Sequence, residues 1–461
     1  MKVEQIYTAC LSEMAYYISD KGEVAIVDPL RDPSPYIRMA EAENAIIKYI
    51  FLSHFHADFI SGHVDLASKT GATIVYGPGA EANFDFYCGK DNEEFKIGNI
   101  TLKLLHTPGH TLESSSFLLI DKKGKMPCVF TGDCLFIGDV GRPDLAVKPG
   151  SISKEYLAGL LYDSLQNKIL PLPDDIIIYP NHSAGSACGK NIGIETFDTL
   201  ANQKKTNYAL SKISKKVFIE KVISGLNIPP QYFPKNAIKN KNINKPIDNI
   251  IYEGTTPIEP SVFKELSEQE DFLVIDTRIK EDFITYGSVP GSLYIGAEGD
   301  FAYWLGVLIT DLNQKIIFIT DNETKSPEIV QRFARVGYDN IKGYLFGGIT
   351  NWINYGYDLD KINSISVLDF SNRLINYKTE IILDVRKESE YNFNHIDGIK
   401  NFPLDLIHYN IDILDTDKEY ILHCASGYQS LIAASVFKSK GFSKVINVLG
   451  KYEMINKMNL L

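Results

Sequence analysis

The chain has 461 residues, a formal net charge of −11 and 44% hydrophobic residues. At about 100–200 residues per domain, that length predicts two to four domains. The negative charge disfavours nucleic acid as a partner, and no apolar run approaches the ~20 residues of a membrane span. The opening Met1-Lys2-Val3-Glu4-Gln5 lacks a signal peptide's apolar core, so the expected compartment is the cytoplasm. Six cysteines (Cys10, Cys88, Cys128, Cys134, Cys188 and Cys424) lie scattered without a C-x-x-C pair. That argues against a disulfide framework or a structural zinc knuckle and predicts mostly reduced, buried, inert thiols.

In chain order, 24–27 reads as a strand closed by Asp28-Pro29, 36–48 has helical spacing, and 49–52 is a buried strand. Strands are expected at 100–105, 116–120, 129–130 and 176–179. Metal-type side chains recur where these strands open into loops: Ser53-His54-Phe55-His56-Ala57-Asp58, His106-Thr107-Pro108-Gly109-His110, Asp133, and Asn181-His182. Ligand-bearing loops on a rigid β scaffold have this pattern. Alternation turns His54, His56 and Asp58 to one side, but spacing alone does not choose between His54 and His56 as a ligand. His63 and His106 are expected in structural or supporting roles. The segment 227–249, with four prolines among many Lys and Asn, reads as a linker.

A pattern then occurs twice. Asp276-Thr277-Arg278 returns as Asp384-Val385-Arg386, and Val289-Pro290-Gly291 as Ile396-Asp397-Gly398. Ile317-Phe318-Ile319 returns as Ile421-Leu422-His423, and Gly337-Tyr338 as Gly441-Phe442. Strand and helix alternate in each copy, which predicts two duplicated α/β domains with parallel sheets. The expected domains are 1–240, 246–358 and 360–461. In the second copy a strand ends at His423, Cys424-Ala425-Ser426-Gly427-Tyr428-Gln429-Ser430 forms a loop, and a helix follows from Leu431. Backbone N–H groups of such a loop favour a thiolate or persulfide anion. The first copy has Asp321 at the cysteine's place, so it is expected to be a structural or docking module.

The N-terminal ligand motifs resemble those of the metallo-β-lactamase superfamily, which implies an αββα fold. The superfamily's usual histidine after Asp58 is Phe59 here, so a single metal is expected. His54 to Gly62, His106 to Thr111, Thr131-Gly132-Asp133, Gly141-Arg142-Pro143-Asp144-Leu145 and Gly185 to Lys190 further resemble the persulfide dioxygenase branch fused to rhodanese domains. That resemblance implies one Fe(II) per chain on His54, His110 and Asp133, with His56, Asp58 and His182 behind the ligands or lining the pocket. Such a triad leaves up to three positions on a six-coordinate iron, room for a persulfide sulfur and O2. Arg142 is either a clamp for a substrate carboxylate or a structural ion pair, and Cys188 either lines the pocket or is a buried structural thiol.

The cysteine loop resembles that of rhodaneses, which implies that Cys424 carries a sulfane sulfur. Ala425 and Gln429 stand where rhodanese loops often carry arginines, which weakens the expected attraction for thiosulfate or sulfite. The implied activity is oxidation of a low-molecular-weight persulfide to sulfite, coupled to thiosulfate formation or use, in sulfide detoxification. The implied partners are small molecules (persulfide, O2, sulfite or thiosulfate), and a homo-oligomer is expected. The alternatives are a zinc thioester hydrolase of the glyoxalase II kind, using a metal-activated water, and a non-enzymatic sulfur relay or sensor.

Overall fold

The computed structural model describes residues 1–376 and 381–454, so residues 377–380 and 455–461 of the expected 360–461 domain lie outside the described residues. The chain forms two compact units, Met1–Ile247 with Ala334–Gly337, and Asp248–Phe333 with Tyr338–Leu461. Among the described residues no helix is long and apolar enough to cross a membrane.

The first unit holds two six-stranded sheets. One runs β1 (Lys2–Thr8), β2 (Glu13–Asp20), β3 (Glu23–Val27), β4 (Ile46–Phe51), β5 (Thr73–Tyr76) and β6 (Tyr87–Cys88) in sequence order. The other comprises β7 (Glu94–Ile97), β8 (Ile100–His106), β9 (Ser115–Ile120), β10 (Cys128–Gly132), β11 (Ile177–Pro180) and β12 (Asp198–Thr199). Alternation on β2 builds the layers: Met14, Tyr16 and Ile18 enter a core shared with Leu102, Leu104, Phe117 and Phe130 of the second sheet, while Ala15 and Tyr17 join Tyr36, Ala40 and Leu66 on the outer side. Helices Lys154–Ser164 and Lys215–Ile223 cover the second sheet's other face through Ala158, Leu161, Phe218 and Val222. The result is the expected αββα sandwich.

Three local expectations change. The helix expected over 36–48 spans Ser34–Ala42, because Asn44 adopts a left-handed conformation (φ 50°) and β4 already begins at Ile46. The segment expected as a linker is folded onto the first unit: helix Phe233–Lys239 starts with Pro234 in its first turn, where proline is tolerated, and Asn236 and Asn240 are fully buried. Cys88 is exposed rather than buried, as it lies in a two-residue strand; all six cysteines are free thiols.

The second unit contains two five-stranded parallel sheets. The first comprises β13 (Pro257–Ile258), β14 (Phe272–Asp276), β15 (Leu293–Tyr294), β16 (Lys315–Ile319) and β17 (Ile341–Leu345), in the order β13-β17-β16-β14-β15. The second repeats that order, β18-β22-β21-β19-β20, with β18 (Asn363–Ser366), β19 (Ile381–Asp384), β20 (Lys400–Asn401), β21 (Tyr420–His423) and β22 (Val445–Leu449). The copies touch: Tyr294 N donates to Ser435 Oγ at 2.9 Å, and Tyr428 Oη donates to the Gly296 carbonyl at 3.0 Å.

Candidate metal centre and sulfur-carrier loop

Four strand ends converge in the first unit. β4 delivers Ser53-His54, β8 leads to His110, β10 to Asp133, and β11 to Asn181-His182. His54, His110 and Asp133 are at most 2% exposed, and one ligand atom from each lies within 4.8 Å of the others. Asp133 Oδ2 is 3.3 Å from His110 Nε2 and 3.9 Å from His54 Nε2. His54 Nε2 has no hydrogen-bond partner, and neither Asp133 oxygen accepts from an N–H or O–H. Buried polar atoms are nearly always satisfied, so this donor set fits a cation. The opposite ring nitrogens are held: His54 Nδ1 is 2.9 Å from Ser53 Oγ, and His110 Nδ1 is 2.9 Å from the Arg142 carbonyl. Orienting a metal-binding imidazole through its second nitrogen is the usual arrangement.

A second buried group, Asp58, His182 and Cys188, abuts the first through Asp133. His182 Nε2 is 3.4 Å from Asp58 Oδ2 and 3.6 Å from Asp133 Oδ1. Burial holds His54 well below the usual histidine range and His110 down to about 3, which favours the neutral imidazole that a metal would need. Burial and then the Asp58 charge push the Asp133 carboxyl well above the usual range. Burial followed by Asp58 and Asp133 raises the Cys188 thiol likewise. A cation would reverse the balance at Asp133.

His56 turns toward Asp28, with Nε2 3.0 Å from Oδ1, and its ring stacks on Phe59 at 4.3 Å. Asp28 also accepts from Ser53 N at 2.7 Å and from Asn181 Nδ2 at 2.8 Å, so one carboxylate anchors the strand ends after β3, β4 and β11. Asn240 pins the His54–Ser61 loop: its side chain accepts from Ser61 N at 2.9 Å and donates to the carbonyls of His56 and Phe59 at 2.7 Å each. Arg142 uses its guanidinium on both Asp144 oxygens (2.7 and 2.8 Å) and on the carbonyls of Ala187 and Asn227, the geometry of a structural ion pair. Gly141 must be glycine, because a Cβ there would lie 2.1 Å from the Asp133 carbonyl and 2.9 Å from His110 Nδ1. His63 is buried between Tyr76 and Phe84, and His106 Nε2 pairs with the Leu112 carbonyl at 2.9 Å.

In the second unit Cys424 follows β21 directly and is 1% exposed. Gly427 N donates to Cys424 Sγ at 3.1 Å, and Ser430 Oγ lies 3.4 Å from it. Tyr428, Gln429 and Ser430, expected in the loop, form the first turn of helix Tyr428–Ser439, because left-handed Gly427 already serves as its N-cap. Ala425 and Ser426 make the remaining turn. Asp384 and Arg386 form a buried two-pronged pair, matched by Asp276 and Arg278 in the first copy.

The Metallo-beta-lactamase superfamily profile matches residues 9–182, and the Rhodanese-like domain profile matches 259–355 and again 366–457. A crystal structure of a metallo-beta-lactamase from Staphylococcus aureus is 33% identical, with a TM-score of 0.65 over 75% of this chain and 98% of that one. This chain belongs to the metallo-β-lactamase superfamily. It carries two rhodanese-like domains behind the metallo-β-lactamase domain. Among curated proteins, a probable hydroxyacylglutathione hydrolase of Schizosaccharomyces pombe is 34% identical over 173 residues, 36% of this chain and 62% of that protein. The human mitochondrial persulfide dioxygenase is 27% identical over 231 residues, 49% of this chain and 82% of that protein. The chain thus spans less than two thirds of the length of the hydrolase. In the first unit, sequence reasoning missed Asp28 and Asn240, and read Asn181 only as the neighbour of His182. Asp28-Pro29 closing a strand was a usable signal for the first, whereas nothing local marks Asn240.

Proposed function

We propose that the chain is a mononuclear iron persulfide dioxygenase coupled to sulfur transfer at Cys424. The observation that carries the reading is the buried group of two imidazoles and one carboxylate, with Asp133 Oδ2 facing both His54 Nε2 and His110 Nε2. Two histidines and a carboxylate on one face are the ligand set of non-haem Fe(II) oxygenases. The likeness to the human persulfide dioxygenase supports the same reading. When bound, Fe(II) would supply the electrons that activate O2 beside the substrate sulfur.

The chain's own residues set the conditions. Ser53 Oγ and the Arg142 carbonyl orient the two imidazoles, and Phe59 stacks on His56, keeping an apolar wall where a further histidine would extend the ligand set. The balance is RSSH + O2 + H2O → RSH + sulfite + two protons: the terminal sulfur is oxidised and O2 takes the electrons. At the second centre a persulfide gives its outer sulfur to the Cys424 thiolate with loss of RS⁻. Sulfite then attacks that outer sulfur, releasing thiosulfate and the thiolate. Gly427 N–H stabilises the thiolate on Cys424 Sγ that accepts the sulfur and is released again once thiosulfate leaves.

A metal-dependent thioester hydrolase is the second reading. It is favoured by the higher identity to hydroxyacylglutathione hydrolases and by Asp58 and His182 standing beside Asp133. The test is elemental analysis of protein from iron-replete medium, with O2 uptake measured across persulfides and hydrolysis across glutathione thioesters. One iron per chain and persulfide-dependent O2 uptake, both lost in Asp133→Ala, are expected. Two zinc ions per chain with thioester hydrolysis would replace the proposal by the second reading.

A further inference from the structure

The cysteine-less copy keeps a small open cleft of about 60 Å³ lined by Thr277, Ala297, Glu298, Asp321, Lys325 and Arg332, with Ile279 and Ile329 as its apolar wall. Its position is set by topology. From β14 the chain moves outward to β15, then returns to the other side of β14 as β16 and β17. The carboxyl ends of β14 and β16 therefore flank the point where the sheet's winding reverses, the place where open α/β sheets bind ligands. Thr277 follows β14, and Asp321 lies just past the end of β16. The same point of the second copy, beyond β21, holds Cys424.

The lining is electrically divided. Arg332 is neutralised by Glu328, with Nη2 2.5 Å and Nε 3.1 Å from Oε1, and is tied to the Ala297 carbonyl. Asp321, Glu298 and Lys325 make no ion pair or side-chain hydrogen bond among the described residues, with each other or with any neighbour. Two carboxylates and one ammonium thus face one cleft without closing on one another. Each alone is an ordinary exposed charge; their convergence on a cleft at the switch point is what a ligand bearing both charges would use.

We propose that this copy has become a binding site for a small zwitterion, an α-amino acid with a short apolar or thioether side chain. Asp321 and Glu298 take its ammonium, Lys325 takes its carboxylate, and the side chain lies on Ile279 and Ile329. The site involves no covalent step and stands whether or not the metal centre is a dioxygenase. It gives the first copy a role that needs no thiol.

The experiment is calorimetric titration of the full chain with S-methyl-L-cysteine, which has both charges and no reactive thiol. One site per chain with a dissociation constant of roughly 1 mM or tighter is expected. Asp321→Asn and Lys325→Gln should each weaken binding by about tenfold or more, as should 3-(methylthio)propionate, which lacks the ammonium, and S-methylcysteamine, which lacks the carboxylate. Both substituted residues are exposed, so the variants fold, and Cys424→Ser should bind like the parent. No heat of binding with the parent at tens of millimolar, or unchanged affinity in both charge variants, overturns the proposal. Loss of binding in Cys424→Ser would move the site to the other copy and overturn it equally.

Discussion

Asn240→Ala is the sharpest probe of how the metal loop is held. The side chain is fully buried and serves three backbone groups, Ser61 N–H and the carbonyls of His56 and Phe59. Three ordinary hydrogen bonds contribute about 1 kcal/mol each, and a buried group left without a partner costs about 1–3 kcal/mol more, so the loss should be about 4–6 kcal/mol. The loop it pins bears His54, so a shifted imidazole should also lower metal affinity about tenfold to a hundredfold, as loss of an orienting partner does. The two tryptophans, Trp304 and Trp352, both lie in the second unit, so fluorescence reports on that unit and circular dichroism with metal release reports on the first. Urea titration of Asn240→Ala should shift metal release to lower urea and leave the tryptophan transition in place. A release midpoint unchanged from the parent would refute the reasoning, since it would mean that water replaces all three bonds at no cost.

Cys424→Ser should keep iron and O2 uptake while product shifts from thiosulfate toward sulfite; loss of O2 uptake with iron retained would show that the relay is obligatory. Burial holds His63 down to about 3, against about 6.5 in an unfolded chain, so between those values the unfolded state binds the extra proton and stability falls as pH drops. His63→Phe should therefore flatten the pH dependence of first-unit stability by about 1.4 kcal/mol per pH unit below 6.5, and an unchanged slope between pH 6.5 and 4.5 would contradict this. A Cβ at Gly299 would lie 2.3 Å from Tyr428 Cζ, so Gly299→Val should displace the first residue of the Cys424 helix. Overpacking of ~1.4 kcal/mol predicts about a tenfold loss of thiocyanate formation from cyanide, with O2 uptake intact; parental sulfur transfer would show that the loop does not depend on this contact.

The layers were legible through the resemblance of the ligand motifs and not through β2, in which every residue is buried so that no polar–apolar alternation marks it; the duplication was legible because the Asp-x-Arg strand ends recur intact. The candidate positions His54, His56, His110, Asp133 and Cys424 were legible because each follows a strand whose end is marked by its own apolar run. Choosing His54 over His56 was not, since both lie on the same side of the chain. In the structure Asp28, distant in sequence, engages His56 Nε2, while His54 Nε2 has no hydrogen-bond partner. The 227–249 segment misled because its prolines and asparagines fit a linker as well as they fit helix starts and buried caps. Only tertiary contacts with the metal loop distinguish Asn240 from the other asparagines around it.

Charge balance bears on whether one cation or two would occupy the centre. Asp28 is compensated locally by Ser53 N–H, Asn181 and His56. Asp58 and Asp133 have no such donors, and both their carboxylates are buried. Glu13, equally buried with both oxygens unpartnered, is held protonated by burial and then by Asp58, so the charges to be balanced are those of Asp58 and Asp133, and one divalent ion on His54, His110 and Asp133 would neutralise that pair. A second divalent ion at Asp58, His182 and Cys188 would leave two excess positive charges in the same buried volume. Balance would then require ionising Cys188, whose thiol is held protonated by burial and the two aspartates, and recruiting a hydroxide. One cation needs neither proton loss, and this asymmetry supports the mononuclear reading independently of Phe59.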